Sequence, residues 1–250
     1  MDIRNEKRGF DVSSAFLHII AMLFMLLDHM WATVTPGNDW MTCLGRIAFP
    51  IFAFMIVEGY YHTHDLYKYL RRLFIFALIS EIPFNLMYGA QVFYPYHQNV
   101  LWTFLIALCV IFGIEKTKRE NKLWLTILVS VLLSLLGIVV GFAGMVDYFG
   151  TGVATVLVFY FFRGRKWWCY LGQFLCLFWI NWELLGGLCY PVTVFGIELE
   201  LVQQGFAMLA LIPIWLYKGR QGHHSKPFQI ACYAFYPVHI LVLAAIMLIW

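Results

Sequence analysis

The feature that most constrains the fold of this chain is a series of apolar stretches about as long as a membrane helix, separated by short polar connections. A helix needs about 20 apolar residues to cross the hydrocarbon core of a bilayer. Such stretches occur at 12–34, 41–60, 69–88, 99–115, 123–141, 146–162, 167–186, 199–217 and 228–249. Apolar residues make up 62% of the 250 residues and charged residues only 12%. A soluble enzyme or a nucleic-acid-binding domain is therefore excluded, and no nucleic-acid partner is expected.

The basic residues predict how these helices are oriented. Sixteen of the 17 lysines and arginines lie in alternate connections, and the intervening connections have none. They are Arg4, Lys7 and Arg8; Lys68, Arg71 and Arg72; Lys116, Lys118, Arg119 and Lys122; Arg163, Arg165 and Lys166; and Lys218, Arg220 and Lys226. By the positive-inside rule, connections of this kind face the cytoplasm. We therefore predict an all-α polytopic membrane helix bundle of about nine transmembrane helices, one domain over residues 1–250, with the N-terminus inside and the C-terminus outside.

Four ionisable residues in the first three stretches are predicted to lie at one depth, near the outer surface. His29 lies five residues before the end of the first stretch and Arg46 five residues after the start of the second, and Asp28 and Glu81 lie close to the same level. Ionisable groups at membrane depth are energetically costly and usually functional. A structural ion pair of Arg46 with Asp28 or Glu81 is the alternative interpretation, because a buried charge needs a partner.

A second polar layer is predicted at the cytoplasmic ends of the helices. Glu58 and His62 are four residues apart and share a helix face. With Arg71, Arg72 and Arg163 they could form a basic mouth that holds a phosphate-bearing ligand. The alternative is that these basic residues only set the orientation of the helices.

The histidines suggest a path between the two layers. His18 precedes His29 by 11 residues, about three helical turns, so both lie on one helix face about 16 Å apart. Because His18, His29, His62 and His239 are expected at different depths, paired histidine ligands to a haem are not predicted. The six cysteines show no CxxC motif or zinc-type spacing, so we expect them mainly as core residues and expect no metal site.

Several motifs resemble those of the TraX family, and the resemblance covers nearly the whole chain. The most specific block runs from residue 28 to residue 83, and a closing segment at 234–243 gives independent support. The matching motifs are Leu27-Asp28-His29, Gly45-Arg46-Ile47-Ala48-Phe49-Pro50, Val57-Glu58-Gly59, Ser80-Glu81-Ile82-Pro83-Phe84 and Ala234-Phe235-Tyr236-Pro237-Val238-His239. The resemblance places the chain near the wider group of transmembrane acyltransferases.

The resemblance implies an activity and a location. The family is named for a conjugal-transfer protein that acetylates the N-terminus of pilin, and the wider group uses cytoplasmic acetyl-CoA. It implies an acetyltransferase in the lipids of the bacterial cytoplasmic membrane, with a pilin-like peptide N-terminus, a glycan or a small molecule as acceptor. The wider group typically has Lys or Arg 11 residues before the first-span histidine, and this chain has His18 before His29.

Acyl transfer to an amine or hydroxyl assigns expected roles to the predicted site. His29 would be the general base, or alternatively a covalent acyl carrier, with Asp28 or Glu81 orienting it and Arg46 stabilising the oxyanion. Acetyl-CoA would be held by the path and the mouth, at His18, Glu58, His62, Arg71, Arg72 and Arg163. The competing hypothesis is a transporter or flippase for an anionic or lipid-linked solute, which would also need a buried arginine and carboxylates.

Overall fold

The described part of the chain is a bundle of α-helices with a β-hairpin. The structure, a computed structural model, describes residues 11–194, 197–223 and 225–249. Its α-helices are α1 Ser14–Thr33, α2 Asp39–Gly45, α3 Ala48–His62, α4 Leu66–Gly89, α5 Val100–Lys118, α6 Leu123–Ala143, α7 Phe149–Phe161, α8 Trp167–Phe178, α9 Leu211–Leu216 and α10 Lys226–Ile249. A π-helix, Trp179–Leu185, extends α8, and a 3₁₀ helix, Gln203–Ala210, precedes α9.

Five segments of the described chain are long and apolar enough to cross a membrane. They are α1, the α2–α3 segment Asp39–His62, α5, α6 and α10. Two shorter apolar segments, Phe149–Phe161 and Gln203–Leu216, lie beside them. The prediction of a helical membrane bundle is confirmed, whereas the count of nine spans and the orientation remain predictions.

One predicted span has a different structure over its first residues. Residues 199–202 belong to strand β2, Ile197–Val202, which pairs antiparallel with β1, Cys189–Val194. Apolar residues alternate with Thr193, Glu198 and Glu200 in this region, which is the period of a strand and not of a helix. The helical part of the segment begins only at Gln203, so the predicted span at 199–217 was wrong at its start.

The second long segment is interrupted where the sequence has a proline. The α2 helix ends at Gly45 and α3 begins at Ala48, with a turn at Arg46 and Ile47. Pro50 has no backbone N–H to donate to the carbonyl of Arg46, which favours a break at this point. The α3 helix then passes through the core, where Ile51, Ala53 and Val57 are fully buried.

The basic connections lie together at one end of the bundle, where α3, α5 and α7 finish and α4, α8 and α10 begin. We call this the basic end. Arg163 Nε lies 2.7 Å from Glu58 Oε1, and Lys118 Nζ lies 2.8 Å from the hydroxyl of Tyr160. The N-terminal Arg4, Lys7 and Arg8 lie outside the described residues. The connections at the opposite end are 34–38, 90–99, 144–148 and, of the described residues, 186–194 and 197–202. They have no lysine or arginine.

The hairpin lies against the start of α2. Partial burial, the neighbouring Cys43 thiol and the Asp39 carboxylate raise the pKa of Tyr190, on β1, to about 12.

Of the cysteines expected in the core, Cys43 and Cys169 are buried, whereas Cys109 and Cys189 are exposed. The expectation of mainly buried cysteines was therefore only partly right.

Candidate functional site

Two buried histidines from opposite ends of the chain meet inside the bundle. His29 on α1 and His239 on α10 are only 9% and 7% exposed. His29 Nδ1 and His239 Nε2 are 2.8 Å apart, and the two rings are nearly parallel, at 5°, with centroids 5.0 Å apart. The expectation that these histidines occupy different depths was therefore wrong. The physical reason is that α10 continues ten residues beyond His239, whereas α1 ends four residues beyond His29.

A hydrogen bond to the backbone determines the direction of this contact. His239 Nδ1 lies 2.6 Å from the carbonyl oxygen of Phe235, and a carbonyl can only accept. With both rings neutral, His239 therefore has its proton on Nδ1 and accepts through Nε2. His29 must then donate through Nδ1, which leaves the lone pair of its Nε2 to act as a base.

Arg46 and Asp28 form the ion pair that the sequence suggested as one possibility. Arg46 Nη2 donates to Asp28 Oδ1 and also lies 3.2 Å from Thr42 Oγ1. The Thr42 hydroxyl donates to the same Asp28 oxygen at 2.7 Å and accepts from Gln203 Nε2 at 2.8 Å. Gly45 faces Asp28 so closely that an added Cβ would overlap the carboxylate side chain. Arg46 Nε is buried without a hydrogen-bond acceptor among the described residues.

Glu81 is engaged elsewhere. Its Oε2 accepts from the Asn99 amide and, at 2.9 Å, from the indole N–H of Trp102. Asn99 also caps α5, because its Oδ1 accepts from the backbone N–H of Leu101 at 3.1 Å. The expected orientation of His29 by Asp28 or Glu81 was therefore wrong: the hydrogen-bond partner of His29 is His239. Other donors hold Oδ1 of Asp28 and Oε2 of Glu81, while Glu81 Oε1 is buried without a partner among the described residues.

A strained turn borders the site. Tyr148 and Phe149 both have positive φ, 58° and 48°, which is uncommon for residues other than glycine. The Tyr148 ring stacks on Phe49 with centroids 4.0 Å apart, and lies within electrostatic range of Arg46. Strain of this kind persists only where the surrounding packing imposes it, and it is concentrated at functional sites.

A cavity of about 520 Å³ leads from the basic end toward the histidine pair. Its entrance is lined by His18, Glu58, His62 and Arg72, and its far end by apolar and aromatic side chains. The far-end residues include Met22, Met25, Leu101, Phe104 and Tyr236. The stripe formed by His18, Met22 and Met25 on α1 continues one turn further to His29. Neither histidine of the pair is among the residues that line the cavity, but Tyr236, which lines it, has its ring 6.5 Å from that of His29 and 5.9 Å from that of His239.

The structure separates the predicted ligand-binding residues into three groups. His18, Glu58, His62 and Arg72 line the large cavity. Arg163 lines an adjacent cavity of about 240 Å³, which shares Glu58 and His62 with the first. Arg71 is exposed and lies outside both sets of lining residues. The expected mouth is therefore brought together except for Arg71.

Three residues of the site were not found from the sequence: His239, Thr42 and Gln203. His239 lies two residues after Pro237 within the closing segment that supported the family resemblance, so a signal was present there. Thr42 and Gln203 had no signal, since hydroxyl and amide side chains are common in membrane helices and their partners are distant in the chain.

Fold and site together define a helical membrane protein with a buried histidine pair, separated by Tyr236 from a cavity that opens at the basic end. The family model described as "TraX protein" matches residues 13–247. The chain therefore belongs to the TraX family, and the resemblance identified from the motifs is confirmed.

A curated relative gives a second comparison. The chain is 27% identical over 254 residues to the "Probable fimbrial assembly protein FimC, serogroup H1" of Dichelobacter nodosus. The alignment covers 95% of this chain and 97% of the relative. None of the solved structures matches the chain.

Proposed function

We propose that this protein is an integral-membrane acetyltransferase that moves an acetyl group from acetyl-CoA to an amine or hydroxyl acceptor at the membrane or its outer face. In this proposal the basic end faces the cytoplasm of a bacterial cell. The chain crosses the membrane nine times as α1, α2–α3, α4, α5, α6, α7, α8 with its π-helix, the 3₁₀ helix with α9, and α10. This arrangement puts every described basic connection on the side where acetyl-CoA is made.

The observation that carries the proposal is the cavity that runs from the basic end to Tyr236, whose ring lies 6.5 Å from the ring of His29. Its volume, about 520 Å³, is within the usual range of small-molecule sites. The residues fit a donor with a charged head and a long arm. Arg72 is positioned to bind phosphate at the entrance, and Met22, Met25 and Phe104 provide an apolar path for the arm. Acetyl-CoA would supply the thioester that makes the acetyl group transferable.

The side chains beyond the far end of the cavity fit the chemistry of acyl transfer. His29 Nε2 would take the proton of the acceptor amine or hydroxyl as its nitrogen or oxygen bonds to the acetyl carbon. The carbon–sulfur bond then breaks, and the leaving thiolate takes the proton back from His29. Negative charge develops on the acetyl oxygen during this step, and a buried donor stabilises it. Arg46 Nε is such a donor, because it has no acceptor among the described residues.

The relatives suggest the class of acceptor. The TraX family is associated with pilin acetylation, and the relative from Dichelobacter nodosus is named as a fimbrial assembly protein. The N-terminal amine of a pilin-like peptide is therefore the first acceptor to test, with a glycan or small molecule as the next. The opposite end has Asp39, Glu198 and Glu200 and no lysine or arginine in its connections, which suits a cationic amine.

The proposal is tested with purified protein, labelled acetyl-CoA and a panel of amine-terminated pilin peptides. Transfer of label to a peptide, or release of CoA that depends on the peptide, is expected. The competing transporter hypothesis predicts the reverse pattern: flux of an anionic solute into proteoliposomes without acetyl-CoA, and no transfer of label to any acceptor. That pattern would overturn the proposal.

A further inference from the structure

From the geometry of the two buried histidines we infer that His239 is a positioning residue. It holds the proton of His29 on Nδ1, so that Nε2 is the nitrogen that exchanges protons with the acceptor. The inference rests on the proposed function for its catalytic consequence. Its structural part, the tautomer of His29, can be measured without any activity.

The hydrogen-bond chain of the two histidines ends at a backbone carbonyl, and this end is fixed. The carbonyl oxygen of Phe235 has no proton to give, so His239 Nδ1, 2.6 Å away, must be the donor. A neutral imidazole with its proton on Nδ1 presents a lone pair on Nε2. That lone pair lies 2.8 Å from His29 Nδ1, which therefore has a proton to donate. For two neutral rings the hydrogen bonds can therefore point in only one direction: His29 donates to His239, and His239 donates to the backbone carbonyl of Phe235.

The position of His239 is itself constrained. Its ring stacks on Phe235 with centroids 4.6 Å apart and meets Tyr236 at 64° and 5.9 Å. The next residue, Ile240, is fully buried in a cluster with Phe84 and Met87 of α4. The imidazole of His239 is thus held by ring contacts within α10, and α10 itself is held by its packing against α4. The ring therefore has little freedom to rotate.

The two nearby carboxylates do not take the place of His239 in this arrangement. Asp28 accepts from Arg46 and Thr42, and Glu81 accepts from Asn99 and Trp102. Neither carboxylate has a hydrogen bond to either histidine among the described residues. A neutral imidazole at this position fixes the tautomer of its neighbour without adding a second negative charge beside Asp28. Free histidine in water favours the tautomer with the proton on Nε2. A proton on Nδ1 of His29 would therefore be a distinctive signature of its hydrogen bond to His239.

Nitrogen NMR of the protein in nanodiscs, with ¹⁵N-labelled histidine, measures this signature directly. The signals of the eight histidines are assigned by difference with His29→Gln and His239→Gln. We expect His29 to have a protonated Nδ1 and a bare Nε2 in the wild type. In His239→Leu, His29 should no longer prefer the tautomer with the proton on Nδ1. In His239→Gln it should keep this preference, because the amide oxygen of glutamine also accepts a hydrogen bond. A wild-type His29 with its proton on Nε2, or an unchanged signature in His239→Leu, would overturn the inference.

Steady-state kinetics tests the catalytic consequence. His239→Leu is expected to lower kcat by about 10²-fold with little change in KM for acetyl-CoA, since a wrong histidine tautomer costs up to about 10⁴-fold in a serine-protease triad. His239→Gln should recover part of the loss. Ile240→Val, a neighbouring core change, should lower the melting temperature without lowering kcat. If His239→Leu keeps the wild-type kcat, the positioning role is refuted, even if His29→Ala is inactive. An active His29→Ala would refute the role of His29 as the base instead, and a wild-type protein that transfers no acetyl group would refute the proposed function; in both cases the NMR result would stand.

Discussion

Arg163 donates to both carboxylate oxygens of Glu58, with its Nε 2.7 Å from Oε1 and its Nη2 3.3 Å from Oε2. This pair lies in the wall between the two cavities of the basic end. Because the charge of Arg163 is compensated there, it is less suited to hold a phosphate than the sequence suggested. Arg72 lines the large cavity. Its guanidinium carbon lies over the ring of Tyr233, 5.7 Å from the ring centroid.

The first prediction concerns Arg72 and its neighbour Arg71. Arg72→Gln should weaken CoA binding by about tenfold, since a charge-assisted contact to phosphate contributes about 1.5–3 kcal/mol. Arg71→Gln is the matched control, because it removes the same charge from the same helix outside the cavity. Isothermal titration of the purified variants with CoA gives both affinities. An equal loss in the two variants would mean that the phosphates bind to the general positive field and not in this cavity.

The second prediction concerns the shape of the cavity. Met22→Trp should fill the path of the donor arm and raise KM for acetyl-CoA by at least tenfold while the protein stays folded. Leu23→Trp, the next residue on α1, should leave KM unchanged, because Leu23 is 55% exposed on the outer surface of the bundle. The measurement is KM for acetyl-CoA beside the melting temperature of each variant. A Met22→Trp protein with normal KM would exclude this cavity as the donor site.

The third prediction separates catalysis from stability at Arg46. Arg46→Lys keeps a positive charge near Asp28 but loses the planar group of donors, so activity should fall by about 10²-fold, as for loss of an oxyanion donor. Its melting temperature should change little. Arg46→Met should instead destabilise the protein by about 3–5 kcal/mol, because Asp28 is left without its partner. If Arg46→Lys remains fully active, Arg46 serves only the ion pair.

The sequence predicted the parts of this molecule that depend on local pattern. The ion pair of Arg46 was suggested as one alternative, with Asp28 or Glu81 as its partner, because these residues lie at similar depth in neighbouring stretches. The helix break at Arg46 was not predicted, although Pro50 explains it once the structure is known. The pairing of His29 with His239 could not be predicted in this way. Depth was counted from the ends of apolar stretches, and this count fails when one helix extends beyond its neighbour, as α10 extends beyond α1. Which helices are neighbours is decided by packing between segments 210 residues apart.

The hairpin shows a second limit of pattern reading. Residues 199–217 are apolar enough to suggest a membrane helix, and hydropathy averaged over such a window does not register the alternation around Glu198 and Glu200. The partner of Glu81 was equally inaccessible, because Trp102 reaches it only through the packing of α5 against α4. Side-chain partners in a bundle of this kind depend on helix rotation, which composition does not specify.

The fourth prediction is the topology of the chain in the cell membrane. A reporter fused after Lys118 should be found in the cytoplasm, and one fused at the C-terminus should be found outside, because the basic connections set the orientation. Paired reporters active on opposite sides of the membrane make the measurement. Detection of both fusions on the same side would contradict the count of nine spans.

The most direct test of the account is acetyl transfer by His29→Ala beside its melting temperature. If His29 is the base or the acyl carrier, its removal should lower the rate by about 10² to 10⁴-fold, the usual contribution of a general base. The variant should stay folded, because the smaller side chain leaves Ile240, Phe84 and the rest of the α4–α10 packing in place. A stable, inactive His29→Ala protein is the predicted result. A stable His29→Ala protein that transfers acetyl at the wild-type rate would contradict the account.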